Sequence, residues 1–304
     1  MTRREVLGSM GALISTSALP ALGDLPCLFP LRGGYERLQL GYQRIEAGAT
    51  RPFSILHISD THLTEANLDE SQKLQRLHRH RSKTFGGRQE EALRDSLSWA
   101  KNNVDYVLHT GDLIDWQSEG NFAMVKRYFG DNMFGSLGNH EWSSDVGREQ
   151  ARANLAEAYP FDLELQSKVV NGVNFVTLDD TDGKVTARQV ERFKAEAAKG
   201  LPIILAMHVP FYSEKIRQAC WKYWNLSGRK FEGGETPPPG GDAKAQAEDR
   251  VTRDFITYLK ALPQLKGILA GHVHFSIQDR FSPTAMQYIV GGNFMFHGQE
   301  VIVV

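Results

Sequence analysis

Polar residues that can bind metal ions or transfer protons follow the ends of several apolar segments in this sequence. In the stretch Val104–Asp115, the β-branched and aromatic run Val104–Leu108 predicts a buried strand, and the turn signal Thr110-Gly111 is followed by Asp112 and Asp115. Ligands of open α/β sheets bind outside the carboxyl ends of the strands, so this position favours an active site. An aspartate at such a junction can equally serve as a helix N-cap. This stretch alone leaves both interpretations open.

Four further apolar segments end in residues of the same kinds. Those residues are Asp60 and His62, Asn139 and His140, His208, and His272 and His274. Carboxylate, imidazole and amide ligands without a cysteine are typical of sites for borderline divalent ions such as Mn, Fe or Zn. The residues are too many for one ion, and we therefore expect a site that holds two.

These blocks resemble the calcineurin-like metallophosphoesterase superfamily, whose pattern runs D-x-H, G-D-x-x-D, G-N-H-[ED], H and G-H-x-H. The matching blocks, which span residues 53–275, are Asp60-Thr61-His62, Gly111-Asp112-Leu113-Ile114-Asp115, Gly138-Asn139-His140-Glu141, His208 and Gly271-His272-Val273-His274. The resemblance implies metal-dependent hydrolysis of a phosphomonoester or a phosphodiester. A hydroxide shared between the two ions would be the nucleophile.

The resemblance also implies a role for each matching residue. The ligands of the first ion would be Asp60, His62 and His274, and those of the second would be Asn139, His208 and His272. Asp112 would bridge the two ions, at the separation that a two-metal hydrolysis needs. His140 would donate a proton to the leaving group, and Asp115 would orient and charge that histidine. We expect Glu141 to cap the following helix or to support the site.

Departures from two related patterns narrow the type of phosphoesterase. Purple acid phosphatases carry a tyrosine iron ligand three residues after the G-D aspartate, where this sequence has Asp115. Protein Ser/Thr phosphatases continue the same block as G-D-x-x-D-R-G, where this sequence has Trp116-Gln117. Neither of these subfamily patterns fits the chain.

Two other functions stay open at this point, a non-catalytic metal-binding scaffold and a nuclease. His140 and Asp115 disfavour the scaffold, because a binding module has no need of a leaving-group acid. The formal net charge of -1 over 304 residues gives no electrostatic reason to expect nucleic acid as a partner. The expected partner is a small phosphate ester, and no protein partner is inferred.

Two insertions, near residues 64–88 and 214–247, interrupt the pattern and could shape a substrate pocket. The basic side chains of the first are Arg76, Arg79, His80, Arg81, Lys83 and Arg88. They would hold a second phosphate or acidic group, or form a solvated helix face. The second insertion is predicted to be a long loop and carries Trp221, Lys222, Tyr223 and Trp224. Its aromatic rings would stack on a ring-bearing leaving group or form a small core that fixes the loop.

The order of elements predicts an α/β fold with a mixed sheet, because strands first alternate with helices and then cluster at the end. The resemblance implies a layered α-β-β-α sandwich with the metal site at the C-terminal ends of the strands. The clearest predicted strands are Phe53–Ile58, Val173–Leu178 and Pro202–Met207, and the clearest predicted helices are Gln89–Asn102, Thr186–Lys199 and Glu248–Leu262. Residues 26–304 are expected to form a single domain, because motifs so far apart must close on one site.

Residues 1–25 are typical of an export signal. Arg3-Arg4 precede a weakly apolar run rich in Gly, Ala and Ser, which resembles a twin-arginine signal and is too short for a transmembrane helix. We therefore expect a periplasmic or secreted protein with no membrane span after processing. The two cysteines, Cys27 and Cys220, exclude a disulfide scaffold and a thiolate metal site. An oxidising compartment would permit one bridge between them.

Overall fold

The computed structural model describes residues 37–130, 132–224 and 249–304. The predicted export signal, Cys27 and the greater part of the second insertion lie outside these residues, so the structure does not bear on them. Among the helices of the described ranges, none has the length and apolar character needed to cross a membrane.

The strands of the described residues form two mixed sheets. In chain order they are β1 (Gln39–Ile45), β2 (Phe53–Ile58), β3 (Tyr106–Thr110), β4 (Met133–Ser136), β5 (Leu165–Val170), β6 (Val173–Leu178), β7 (Ile203–Met207), β8 (Leu265–Ala270), β9 (Ile277–Arg280), β10 (Met286–Ile289) and β11 (His297–Val303). The first sheet has the order β1-β11-β2-β3-β4, and the second has the order β5-β6-β7-β8-β10-β9. In the first sheet β2, β3 and β4 are parallel, as are β6, β7, β8 and β10 in the second.

Helices cover the outer face of each sheet. They are α1 (Gln72–Thr84), α2 (Gln89–Asn103), α3 (Glu119–Tyr128), α4 (Arg148–Ala158), α5 (Ala187–Ala197), α6 (Glu214–Tyr223) and α7 (Arg250–Ala261), with a short 3-10 turn at Asn293–Met295. Leu93 of α2 and Val125 of α3 share a core with the first sheet. Phe193 of α5 and Phe255 of α7 share another with the second sheet.

A third core lies between the two sheets. Phe175 of β6 packs edge-on against Phe53 of β2 and Phe134 of β4, with ring centroids 6.0 and 5.5 Å apart. Along β7, Ile204 and Ala206 belong to this central core, whereas the alternate residues face the helices. Both faces of β7 are therefore covered, which explains its continuous apolar sequence. The predicted α-β-β-α sandwich with mixed sheets is confirmed.

Three segments differ from the sequence-based predictions. The second insertion, predicted as a loop from Glu214 to Ala247, begins with α6. Ser213 caps this helix by accepting a hydrogen bond from Ile216 N, and Ile216 is buried. Strand β5 was not predicted, because its sequence LQSKVV mixes polar and apolar residues at a sheet edge. The strand predicted at Val104–Leu108 lies two residues further along, as β3.

Candidate metal centre

The candidate ligands follow the C-terminal ends of five strands, three in the first sheet and two in the second. Because β2, β3 and β4 run parallel, as do β7 and β8, these ends meet at one edge of the sandwich. The backbone at this edge is unusual. Five of the candidate ligands have a left-handed φ between 53° and 72°, namely Asp60, His62, Asp112, His272 and His274. Such conformations concentrate at functional sites, where the surrounding structure must hold them in place.

Two glycines allow the loops after β3 and β4 to touch. A Cβ atom on Gly111, whose φ is +90°, would lie 2.5 Å from Gly138 N. A Cβ atom on Gly138 would lie 2.1 Å from Asp112 Oδ1. The Gly111-Asp112 and Gly138-Asn139 blocks therefore need glycine because their backbones are in direct contact.

A first cluster brings together Asp60, His62, Asp112 and His274. One ligand atom from each lies within 4.8 Å of all the others. His274 Nε2 lies 3.1 Å from His62 Nε2 and 3.2 Å from Asp60 Oδ1. His62 Nε2 lies 3.6 Å from Asp112 Oδ2. These distances suit four groups that surround one small cation.

A second cluster brings together Asp112, Asn139, His208 and His272. His208 Nε2 lies 3.3 Å from Asp112 Oδ2, 3.2 Å from Asn139 Oδ1 and 3.1 Å from His272 Nδ1. Asp112 is thus common to both clusters, and its carboxylate is buried. Two clusters that share one carboxylate fit a site for two ions.

Hydrogen bonds at the opposite ring nitrogens leave lone pairs directed into the clusters. His62 Nδ1 donates to Asp115 Oδ1 at 2.9 Å, and His208 Nδ1 donates to the carbonyl oxygen of Thr110 at 2.7 Å. The Nε2 lone pairs of both rings therefore face other electron-pair donors. Asp60 Oδ1 is buried and accepts no hydrogen bond from any described residue. A divalent cation satisfies all of these atoms, so the residues present fit a dimetal centre.

The carboxylates of the site also favour the binding of a cation. Burial opposes the protonation of His208, but Asp112 and Asp60 outweigh it and raise the pKa of His208 to about 10. Burial also disfavours the charged form of Asp112, yet the surrounding histidines hold its pKa well below the usual range. Carboxylates that draw a proton onto a ligand nitrogen will equally draw a metal ion.

His140 stands beside the clusters and is more accessible than the candidate ligand histidines. Its side chain is 27% exposed, and its Nδ1 lies 2.9 Å from Asp115 Oδ1. Its backbone N–H donates to Asp112 Oδ1 at 2.8 Å. Burial lowers the pKa of His140, but Asp112 and Asp115 outweigh this and raise it to about 9. The two carboxylates therefore favour the charged form of His140.

Glu141 connects the loops that carry Asp112 and Asn139. Its buried carboxylate accepts hydrogen bonds from the backbone N–H groups of Asp112, Leu113, Ile114 and Gly138 and from the hydroxyl of Tyr159, at 2.7–3.2 Å. Of the two expected roles for Glu141, these contacts correspond to support of the site. Arg81 is a further residue that the motifs do not identify, and it forms an ion pair with Asp115. Nothing in the basic run around Arg81 distinguishes it from its neighbours.

The candidate substrate-binding residues divide into two groups. The Trp224 ring lies 5.3 Å from that of His274, and the Tyr223 ring lies 5.2 Å from that of Trp224. Trp224 and Tyr223 thus adjoin the first cluster, whereas the contacts that follow place the other three candidates elsewhere. Trp221 packs under the Arg217 guanidinium at 4.6 Å, Arg88 forms an ion pair with Glu91 at 2.7 Å, and Lys222 is exposed.

Two histidines outside the matching blocks are buried in the first sheet. His57 Nε2 lies 2.9 Å from Thr110 Oγ1, and His109 Nε2 lies 2.9 Å from Thr61 Oγ1. Burial lowers the pKa of each to about 3, so both are neutral. Their contacts are those of structural residues beneath the metal centre.

Comparison with known proteins gives one family and several structures. A family model described as calcineurin-like phosphoesterase matches residues 53–276. Similar solved structures include a dimetal phosphatase from Danio rerio, with 14% identity over 80% of this chain and 88% of that chain and a TM-score of 0.48. A putative 5'-nucleotidase from Staphylococcus aureus has 12% identity over 80% of this chain and 49% of its own, with a TM-score of 0.43.

A 5'-nucleotidase from Candida albicans has 13% identity over 79% of this chain and 45% of its own, with a TM-score of 0.40. The match thus spans about half the length of each nucleotidase. No curated protein matches the chain significantly.

Proposed function

The chain belongs to the calcineurin-like phosphoesterase family, and on that premise we propose that it hydrolyses a small phosphate ester with two divalent metal ions. The observation that carries this proposal is a pair of histidine–carboxylate clusters that share Asp112 and adjoin His140. The first ion would be held by Asp60, His62, His274 and Asp112, and the second by Asn139, His208, His272 and Asp112. The donor set suits Mn, Fe or Zn.

The chemistry divides between the ions and the chain. When bound, the two ions supply activation of water and neutralise charge that develops on the phosphoryl oxygens. The chain supplies ligands from both sheets. His62 and His208 are held before substrate arrives, because their backbone N–H groups and second ring nitrogens are already hydrogen-bonded. Such preorganisation avoids rearrangement of the site during the reaction.

His140 is the proposed general acid. Hydrolysis breaks the bond between phosphorus and the leaving-group oxygen, and that oxygen needs a proton if the alcohol is weakly acidic. His140 Nδ1 faces the Asp115 carboxylate, which leaves Nε2 to carry the proton that is transferred. A carboxylate on the far nitrogen both orients the ring and stabilises its charged form.

We further propose that the alcohol part of the substrate carries a ring or an apolar group. Trp224 beside His274, with Tyr223 next to it, supports this choice because aromatic rings stack on flat apolar groups. The proposal covers both monoesters and diesters.

A metal-reconstitution assay tests the proposed activity. The full chain is stripped with a chelator, reloaded with Mn²⁺, Zn²⁺ or Fe²⁺, and assayed with an aryl phosphate and a bis-aryl phosphate. We expect turnover to return with metal and to be lost in Asp112→Asn, while the exposed-site control Asp182→Asn keeps it. Absence of metal-dependent turnover on both substrates would overturn the proposal.

Export to the periplasm or outside the cell is proposed on the sequence of residues 1–25 alone. Replacement of Arg3 and Arg4 by lysine should retain the protein in the cytoplasm if the signal is of the twin-arginine type. Cell fractionation measures this, and unchanged export of the double variant would contradict that type of signal.

A further inference from the structure

We infer that Arg81, in the first insertion, is a positioning residue of the metal centre. It acts by fixing the Asp115 carboxylate, and through this carboxylate it orients both His140 and His62. The inference rests on the proposed function and deepens it, because it assigns a role in the reaction to a helix outside the matching blocks.

The Arg81 guanidinium holds both oxygens of the Asp115 carboxylate. Its Nε donates to Oδ2 at 2.5 Å, and its Nη2 donates to Oδ1 at 2.8 Å. The Asp115 side chain is 2% exposed and that of Arg81 is 26% exposed, so the pair is largely shielded from water. A two-point contact of this kind fixes the plane of the carboxylate as well as its position.

The fixed carboxylate then sets the orientation of two rings. Asp115 Oδ1 lies 2.9 Å from His62 Nδ1 and 2.9 Å from His140 Nδ1. His62 is a proposed ligand of the first ion, and His140 is the proposed acid. Any rotation of the carboxylate would therefore move the ligand and the acid together, which is the movement that Arg81 prevents.

The end of helix α1 supports His62 by a second contact. Phe85, the C-cap residue of α1, stacks on the His62 ring with centroids 4.2 Å apart and planes 11° apart. The Arg81 guanidinium lies 4.8 Å from the centre of the Phe85 ring. Arg81 and Phe85 thus hold one another as well as the site, which indicates that this turn of α1 is built onto the metal centre.

These contacts distinguish Arg81 from the other basic residues of the insertion. Two of its five N–H donors are used by Asp115, so this carboxylate sets the orientation of the guanidinium. Arg79 lies two residues earlier on the same helix and is exposed, which corresponds to the solvated helix face rather than to phosphate binding. It provides a matched control for the loss of one arginine from α1.

The test compares Arg81→Met, Arg81→Lys and Arg79→Met in the full chain. Turnover at saturating metal is measured with a nitrophenyl phosphate, which leaves without needing a proton, and with an alkyl phosphate, which needs one. For Arg81→Met we expect a loss of about 10-fold or more with the alkyl ester and a much smaller loss with the nitrophenyl ester. Arg81→Lys should recover part of the alkyl activity, because it keeps the charge without the two-point contact.

A second readout does not depend on activity. Titration of the metal-free proteins with Zn²⁺ should show weaker binding at one of two sites in Arg81→Met, by about 10-fold, and unchanged binding in Arg79→Met. Thermal unfolding identifies a variant that has merely lost its fold. Equal losses on both esters with unchanged Zn²⁺ binding, or no difference from Arg79→Met, would overturn the inference. If wild-type protein turns over neither ester, the proposed function fails, and the Zn²⁺ titration still decides the role of Arg81.

Discussion

One carboxylate oxygen, Oδ1 of Asp115, contacts two histidines with different proposed roles. It lies 2.9 Å from Nδ1 of the proposed ligand His62 and 2.9 Å from Nδ1 of the proposed acid His140. Asp112, by contrast, faces both metal clusters directly. At the scale of single residues, Asp112 therefore adjoins both clusters, whereas Asp115 adjoins one candidate ligand and the proposed acid.

Replacement of Asp115 by asparagine should impair both functions. The amide keeps one oxygen acceptor but presents an NH₂ group to Arg81 or to the histidines, so one of these contacts becomes repulsive. We expect kcat to fall by about 10- to 100-fold and the affinity of one metal site to fall by a similar factor. Steady-state kinetics and metal titration measure the two effects, with Asp182→Asn as the control. Full metal affinity in Asp115→Asn would show that its contact with His62 has no effect on binding.

Replacement of His140 by alanine should affect the reaction without emptying the site. His140 is in neither metal cluster that shares Asp112, so Asp112→Asn should lose metal and His140→Ala should keep it. Loss of a general acid costs about 10²- to 10⁴-fold in rate. Metal analysis with kcat on an alkyl phosphate measures the change, and His80→Ala on the exposed face of α1 is the control. If His140→Ala lost as much metal as Asp112→Asn, His140 would be a metal ligand and the proposed separation of the two roles would be wrong.

At the scale of elements, the turns after the ligand-bearing strands have an unusual backbone conformation. Asp60, Asp112 and His272 have left-handed φ values, and each lies two residues past the last residue of its buried strand. Each such residue costs conformational energy that only the surrounding packing can offset. The direct contact between the loops of Gly111 and Gly138 is part of that packing.

Replacement of Gly111 by alanine should destabilise the whole fold. The alanine would have to adopt a left-handed φ of +90°. Its Cβ atom would lie 2.5 Å from Gly138 N, so the loops after β3 and β4 must separate. We expect the free energy of unfolding to fall by about 2 kcal/mol or more. Chemical denaturation measures it. Gly147→Ala is the control, because a Cβ atom there meets nothing within 4 Å and φ is -63°. Equal stability of the two variants would mean that the loops after β3 and β4 can separate at little cost in free energy.

At the scale of the whole molecule, the candidate metal centre draws its residues from both sheets. Asp60, Asp112 and Asn139 follow strands of the first sheet, whereas His208 and His272 follow strands of the second. Unfolding separates these ligands, so bound ions would stabilise the folded state through ligands on both sheets.

Removal of metal should therefore lower the stability of the chain. For one site at a free metal concentration 100 times its Kd, the expected stabilisation is about 2.7 kcal/mol. Denaturant unfolding with Zn²⁺ or with a chelator measures it. In Asp112→Asn the unfolding curves measured with Zn²⁺ and with the chelator should coincide. If the wild-type chain needs metal for activity but its free energy of unfolding is the same with Zn²⁺ and with a chelator, the metal ligands do not link the two sheets.

The family and the fold class could be predicted from the sequence because each depends on local patterns. Strand β6 has its predicted bounds, Val173–Leu178, because it is buried on both faces and bounded by polar and glycine residues. Edge strand β5 and helix α6 could not be predicted with the same ease. Their alternation is weak, and packing against neighbours distant in sequence determines their structure.

The candidate ligands were identifiable from the sequence because a metal site needs particular side chains at the ends of strands. The resemblance implied that Asp115 orients His140, but the sequence did not identify Arg81 or the contact of Asp115 with His62. Arg81 is one of several arginines in a basic run, and only the packing of α1 brings it to Asp115. Likewise, the contact of Asp115 with His62 joins residues 53 positions apart through the pairing of β2 with β3. Residue types and spacing thus determined which chemistry the chain carries. The tertiary structure decided which groups orient it, because long-range contacts leave no periodic pattern along the chain.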